Sequence, residues 1–285
     1  MNVAIDDEIG SICATRADGS YRCWNDDGTP ASAALPAGDY VRVQLARAGL
    51  VGLTRDGELR AAGFEIPNDL PPIADFRATN MGGGQGLCLI SAAGAFLYGT
   101  YDSDPNADPD GSRWHGEAGP FIDGTCAFEG IYAAVTADGT IWPSDEDRLP
   151  GNEWQQVAVG AFIACGLTTA GEVRCASGSG DAIYANPPFS RRPSGPYLQI
   201  AVTYQVACAL RADGAIVCSR FDGLTVPVLP GRFFFLEAGR DLLCGIRTDG
   251  TAACFRQSGR GGPFDFGDSA VTGFAPLSPA IDEGW

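Results

Sequence analysis

The sequence predicts an all-β fold, a seven-bladed β-propeller with disulfide-pinned hairpins, spanning residues 1–285 as a single domain. Three observations carry this. First, the phrase CALRADGAIVC (Cys208 to Cys218) recurs as CATRADGSYRC (Cys13 to Cys23), CGLTTAGEVRC (Cys165 to Cys175) and CGIRTDGTAAC (Cys244 to Cys254). Second, three weaker copies, VGLTRDGELRA from Val51, CLISAAGAFLY from Cys88 and AAVTADGTIWP from Ala133, bring the number to seven. The spacing of about 41 residues per copy falls in the range of propeller repeats. Third, no long segment carries a 3.6-residue apolar period, so helices have no place in the repeat.

Each copy reads as a β-hairpin. Ala212, Asp213 and Gly214 form a three-residue loop, a type I turn closed by a glycine in the left-handed region. Pairing about that loop sets Arg211 opposite Ala215, Leu210 opposite Ile216 and Cys208 opposite Cys218. The cysteines then meet at a non-hydrogen-bonded pair, where side chains stand closest and a cross-strand disulfide can form. The predicted bridges are Cys13–Cys23, Cys165–Cys175, Cys208–Cys218 and Cys244–Cys254. The cysteine face is apolar in six copies (Leu210 and Ile216, Leu167 and Val173, Leu53 and Leu59, Ile90 and Phe96, Val135 and Ile141, Ile246 and Ala252). The opposite face begins with a small residue in Ala14, Gly52, Ala134, Gly166, Ala209 and Gly245, Leu89 being the exception. Such alternation suits a sheet packed on both sides.

A further short strand precedes each hairpin, clearest in Arg42-Val43-Gln44-Leu45, Gln156-Val157-Ala158-Val159 and Gln199-Ile200-Ala201-Val202. Val43, Val157 and Ile200 lie eight residues before the first cysteine position, as does Ile5 in the first copy. In order, blade one takes residues 1–40, blade two 41–75, and blade three runs to about residue 101. An irregular insertion follows from Asp102 to Pro120. Blade four ends near Leu149, blade five near Ser194, blade six near Leu229, and blade seven begins at Phe233. Phe233, Phe234 and Phe235 read as strand and interblade core. The tail from Gly261 supplies the last outer strand or closes the ring.

Composition narrows the function. The net charge is −16, which makes duplex nucleic acid and anionic membranes poor partners. All 19 basic residues are arginine, so Schiff-base chemistry and a phosphate-loop lysine are excluded. Eight of the ten cysteines form the hairpin pairs, which implies an oxidising compartment. Cys88 faces Tyr98, and Cys126 lies off the template. They either bridge adjacent blades or stay free. The cysteine spacing does not favour zinc. No apolar run reaches transmembrane length. The chain opens Met1-Asn2-Val3-Ala4 without a basic, apolar leader, so the expectation is a secreted or periplasmic protein seen without its signal peptide.

The phrase C-A-L-x-x-D-G-x-x-x-C, with Trp24 following it in blade one, resembles the repeat of the regulator of chromosome condensation family. Asp222-Gly223-Leu224-Thr225-Val226-Pro227 is similar to the blade connections of its secreted bacterial branch, typified by β-lactamase inhibitor protein II. The resemblance spans all seven copies and implies a seven-bladed propeller. Eukaryotic members bind chromatin and activate a small GTPase, but this acidic chain lacks their Gly-Gln-Leu-Gly phrase. The inhibitor presents aromatics on the loops joining first and second strands. Here only Phe128, Phe162 and Tyr204 keep an aromatic near that place.

Two further places carry chemistry. Asn106, Asp108, Asp110, Gly111, Ser112 and Glu117 fit the ligand spacing of a calcium loop, set against the simpler reading of a solvated acidic loop. Pro109 and the lack of flanking helices depart from that motif. His115 is the only histidine, which excludes histidine-based transition-metal sites and gives no triad. Carboxylates gathered on one propeller face remain open for glycoside chemistry. The sequence therefore points to a secreted, monomeric, non-enzymatic module, with no required cofactor beyond candidate calcium. Its expected partner is a protein, contacted through loop residues such as Phe162, Tyr204 and Arg240. The alternatives are an inhibitor of an extracellular enzyme and a carboxylate-based carbohydrate-active enzyme.

Overall fold

The computed structural model describes residues 2–5, 12–16, 18–24, 34–46, 49–63, 66, 69–81, 84–101, 114–127, 131–142, 149, 151–160, 163–177, 196–204, 206–220, 229–239, 242–256 and 264–265. They form seven antiparallel sheets in chain order, the blades of a propeller. Blade one is β1 (Asn2–Ile5), β2 (Ile12–Thr15) and β3 (Tyr21–Trp24). Blade two is β4 (Tyr40–Ala46), β5 (Gly49–Thr54) and β6 (Leu59–Ala62). Blade three is β7 (Ile73–Met81), β8 (Gly84–Ser91), β9 (Phe96–Tyr101) and β10 (Trp114–Glu117). Blade four is β11 (Phe121–Ala127), β12 (Ile131–Thr136) and β13 (Ile141–Trp142). Blade five is β14 (Trp154–Val159), β15 (Ile163–Thr168) and β16 (Val173–Ser177). Blade six is β17 (Tyr197–Val202), β18 (Val206–Arg211) and β19 (Ile216–Arg220). Blade seven is β20 (Phe233–Ala238), β21 (Leu242–Arg247), β22 (Ala252–Arg256) and β23 (Phe264–Asp265).

The hairpin register matches the one the cysteine spacing predicts: Arg211 N–H donates to Ala215 O, Gly214 N–H donates to Arg211 O, and Cys208 pairs with Cys218. The turn aspartate has a mechanical role. In Asp18, Asp138, Asp213 and Asp249 the carboxylate accepts the amide two residues on, which fixes the turn. The turn glycine answers two demands, seen at Gly139. Its φ is +84°, and an added Cβ would meet the carbonyl oxygen of Asn152 at 2.3 Å. That close approach comes from a repeated interblade bond. The carbonyl of Gly19, Gly57, Gly94, Gly139, Gly171 and Gly214 accepts the amide of Tyr40, Ile73, Phe121, Trp154, Tyr197 and Phe233, respectively, the first residue of the next blade.

Those entry residues explain the small residues on the second face. A Cβ on Gly166 would strike the Trp154 ring at 2.4 Å, and one on Gly245 the Phe233 ring at 2.5 Å. The cysteine face of blade six (Cys208, Leu210, Ile216) packs against blade seven, while Ala207 and Ala209 pack against blade five. Seven apolar clusters of this kind join the blades pairwise, and the seventh, with Ala14, Trp24, Leu242 and Ile246, joins blade seven to blade one. Seven interfaces among seven blades mean a closed ring.

Two local expectations change, and one open alternative is resolved. Val3, not Ile5, occupies the place of Val157 and Ile200. Val3 pairs with Ala14, as Val157 pairs with Gly166 and Ile200 with Ala209, because the β1–β2 connection is longer. Part of the insertion is regular: Trp114–Glu117 is the fourth strand of blade three. Of the two roles left open for the tail, its described part takes the first, Phe264–Asp265 pairing with β22, and the ring closes through β1 against β20.

The structure holds the four hairpin disulfides, with Cα–Cα distances of 4.0–4.1 Å, and a fifth between Cys88 and Cys126 at 5.9 Å. The fifth joins blade three to blade four. Opposite its two cysteines stand Tyr98 and Tyr132, whose rings stack at 4.0 Å and extend to His115 and Trp142. The hydrogen bond to Tyr132, with some burial, pushes the Tyr98 hydroxyl up to about 12.

Loop length separates the two kinds of bridge. In the chain-entropy model a hairpin bridge, with a separation of 10 residues, contributes about 3 kcal/mol, and the interblade bridge, with a separation of 38, about 4 kcal/mol. Urea unfolding should therefore show a larger loss for Cys88→Ala with Cys126→Ala than for Cys208→Ala with Cys218→Ala. The reverse order would mean that the interblade bridge closes no loop that the unfolded chain leaves open.

Candidate functional site

The innermost strands β1, β4, β7, β11, β14, β17 and β20 are each the edge of a sheet, and each contacts the next around the ring. A sheet edge leaves backbone donors and acceptors unpaired, and they must be satisfied where water is scarce. Side chains of the preceding blade do this. Gln44 Nε2 donates to Ala78 O (2.7 Å) while its Oε1 accepts Ala78 N–H (2.8 Å). Gln156 makes the same pair of bonds to Ile200, and Gln199 to Leu236. A carboxamide carries one donor and one acceptor face, so it stands in for a missing strand. Asp123 supplies only the acceptor: its Oδ2 takes the Val157 N–H at 2.8 Å.

Charges cross the same space. Arg42 on β4, 5% exposed, donates from Nη1 to Asp75 Oδ1 (3.2 Å) and from Nη2 to Glu237 Oε2 (3.3 Å). Arg77 on β7 donates from Nη1 to Glu237 Oε1 at 2.8 Å. Glu237 belongs to blade seven, which neighbours neither blade two nor blade three. These side chains can meet only across the central channel. The Arg42 guanidinium also lies 5.5 Å over the Phe76 ring, and its Nε is buried without a partner among the described residues.

Among the described residues the channel holds three carboxylates (Asp75, Asp123, Glu237) against two guanidiniums. Burial opposes the charge on Arg77, but Glu237, Asp123 and Asp75 outweigh it and hold the group protonated. Burial pushes the Asp123 carboxyl up to about 6; Arg77 and the Val157 amide only partly oppose this. Among the described residues no cation lies within ion-pair distance of Asp123.

Above this tier the inner strands are bulged. In blades two to seven one residue has no partner between the entry residue and the channel-facing residue: Val41, Ala74, Ile122, Gln155, Leu198 and Phe234. Each lies one step from the hairpin turn of the preceding blade, so all six share one mouth of the channel. Ile122 and Leu198 are the exposed large apolar residues among those described, at 53% and 60%.

Most of the site residues expected from sequence lie outside the described residues: Asn106, Asp108, Asp110 and Ser112, and with them Phe128, Phe162 and Arg240. Glu117 is described: its backbone pairs with Phe96 at the end of β10. Tyr204 is half-buried on the β17–β18 connection, the opposite end of the ring from the bulges. No group of three or more metal-ligating side chains gathers among the described residues. Sequence reasoning missed the channel. Its one local signal was the repeated Gln in Gln156-Val157-Ala158-Val159 and Gln199-Ile200-Ala201-Val202. The equivalent places in blades two, three and four hold Arg42, Asp75 and Asp123, and in blades three and four longer connections displace them from the common spacing.

No family model matches the chain, and no curated protein matches it in sequence. Solved structures do share its fold. The CRINKLY WD40 ectodomain of the Arabidopsis thaliana receptor kinase ACR4 aligns with a TM-score of 0.63 at 16% identity, over 89% of this chain and 93% of that one. The entire ectodomain of the Physcomitrella patens receptor kinase CR4 aligns with a TM-score of 0.62 at 16% identity, over 89% and 72%. The β-propeller domain of Myceliophteria thermophila Cps50 (Swd1) aligns with a TM-score of 0.55 at 10% identity, over 86% and 92%. At these identities the likeness is one of fold: the chain is a β-propeller.

The raised Asp123 carboxyl gives a pH signature. The folded protein keeps the proton up to about pH 6, while an unfolded aspartate loses it near pH 4. The native state binds more protons in that window, so this group lowers stability as pH rises from about 4 to about 6. Asp123→Asn keeps an oxygen acceptor for Val157 and cannot ionise. Relative to the parent it should gain stability between pH 4 and pH 7 in urea melts. Parallel pH profiles for the two proteins would refute the assignment.

Proposed function

We propose that this protein is a secreted, non-enzymatic propeller that binds another protein, and that it belongs to the secreted branch of the regulator of chromosome condensation repeats. One observation supports this above the others: the ring is closed by seven apolar interfaces and pinned by five disulfides, so the blades that carry the connecting loops form a fixed frame. Rigidity lowers the ordering cost of recognition. Five disulfides fit an oxidising compartment, and no helix of the described residues is long and apolar enough to cross a membrane. The structural neighbours, ectodomains of receptor kinases among them, fit an extracellular interaction role by analogy of fold. Inhibition of an extracellular enzyme is the narrower form of the same reading.

The test is capture from the extracellular fraction of the source cells. The folded, oxidised protein should retain one protein at fixed stoichiometry, and the reduced and alkylated chain should not. Equal retention by both forms, or none by either, removes the reading. Turnover of a polysaccharide substrate, lost in a carboxylate variant, would replace it with the enzymatic one.

A further inference from the structure

We propose that the hairpin-side mouth of the channel is the docking site for a segment of a partner protein that inserts one basic side chain flanked by apolar ones. The inference rests on the protein-binding reading and names a surface and a partner chemistry for it. The apolar half comes from the bulges. Ile122 and Leu198 stand at one register position in blades four and six, and Val41, Ala74 and Phe234 occupy that position in blades two, three and seven. A bulge re-aims a side chain that regular pairing would bury. Of the five apolar residues at this position, Ala74, Ile122 and Leu198 are exposed around a single opening, while Val41 and Phe234 are half-buried against interblade apolar clusters.

The charged half lies directly beneath. The residue after each bulge is Asp75 in blade three and Asp123 in blade four, so two carboxylates stand side by side at the mouth. The Asp75 side chain is 40% exposed and shares Arg42 with Glu237. Asp123 has no ion pair among the described residues. Among the described residues three carboxylates face two guanidiniums, one positive charge short, and a buried charge without a partner is costly. A guanidinium or ammonium from outside balances it. Arg42 adds an independent mark: its Nε is a buried donor without an acceptor, which a main-chain carbonyl of the inserted segment would supply.

The probes are a fluorescein-labelled peptide with one arginine between leucines, its citrulline counterpart, and a version with serine in place of leucine, read by fluorescence anisotropy against the whole oxidised protein. The arginine peptide should bind about tenfold tighter than the citrulline peptide. Asp123→Asn should abolish that preference. Ile122→Ser with Leu198→Ser should weaken both peptides, and the serine version should bind the parent poorly. Thermal melting checks that the variants are folded; if Asp123→Asn is not, the accessible Asp75→Asn takes its place. Equal affinity for arginine and citrulline, or an unchanged preference in a folded carboxylate variant, overturns the proposal. So does absence of arginine-peptide binding at millimolar concentration by protein that still captures its extracellular partner. That last outcome leaves the interaction-module reading standing and removes only this surface.

Discussion

A ring of blades brings seven sheet edges to one axis, and the rest of this structure depends on how those edges are satisfied. An edge strand in solvent can rely on water. One facing six others across a narrow channel needs fixed partners. The chain meets the need from the blade before: Gln44, Gln156 and Gln199 each present a donor and an acceptor to one residue of the next inner strand. Because each cap reaches across an interblade seam, it ties neighbouring blades as it satisfies the edge. Apolar clusters and turn-glycine carbonyls tie the same seams farther out, so the seams between blades two and three, five and six, and six and seven are held at three radii.

The fold was legible because its signals are local. A turn of fixed chemistry, an aspartate bonding its own hairpin and a cysteine pair at constant spacing recur within eleven residues, and they determine register, face and loop type together. What the sequence did not reveal depends on pairs far apart. Glu237 and Arg42 are separated by 195 residues and meet only because the ring closes. Asp75 and Asp123 occupy the place of Gln156 and Gln199, yet connections of different length hide the equivalence. Val3 was passed over for Ile5 for the same reason.

The seam between blades three and four shows the repeat giving way to another solution. Where the other disulfide-bearing hairpins keep a second cysteine, blade three has Tyr98. Cys88 then bonds Cys126 across the seam, and Tyr98 stacks on Tyr132, which stands opposite Cys126. Tyr98 in place of a second hairpin cysteine, together with Cys126 on β11, directs a covalent bond between blades rather than within one.

The same edge constraint bears on whether the channel charges do chemistry. A carboxyl titrating near pH 6 in a protected site is the profile of a general acid. Asp123, however, holds the Val157 amide through Oδ2, while Asp75 and Glu237 are engaged by Arg42 and Arg77. A catalytic acid must release its proton to a substrate and recover it, with its oxygens free to follow. A group that caps a strand edge is held against such motion. Its elevated proton affinity follows from burial, which Arg77 and the Val157 amide only partly offset. A positive charge arriving from outside, as the docking proposal has it, would offset that burial and displace the proton.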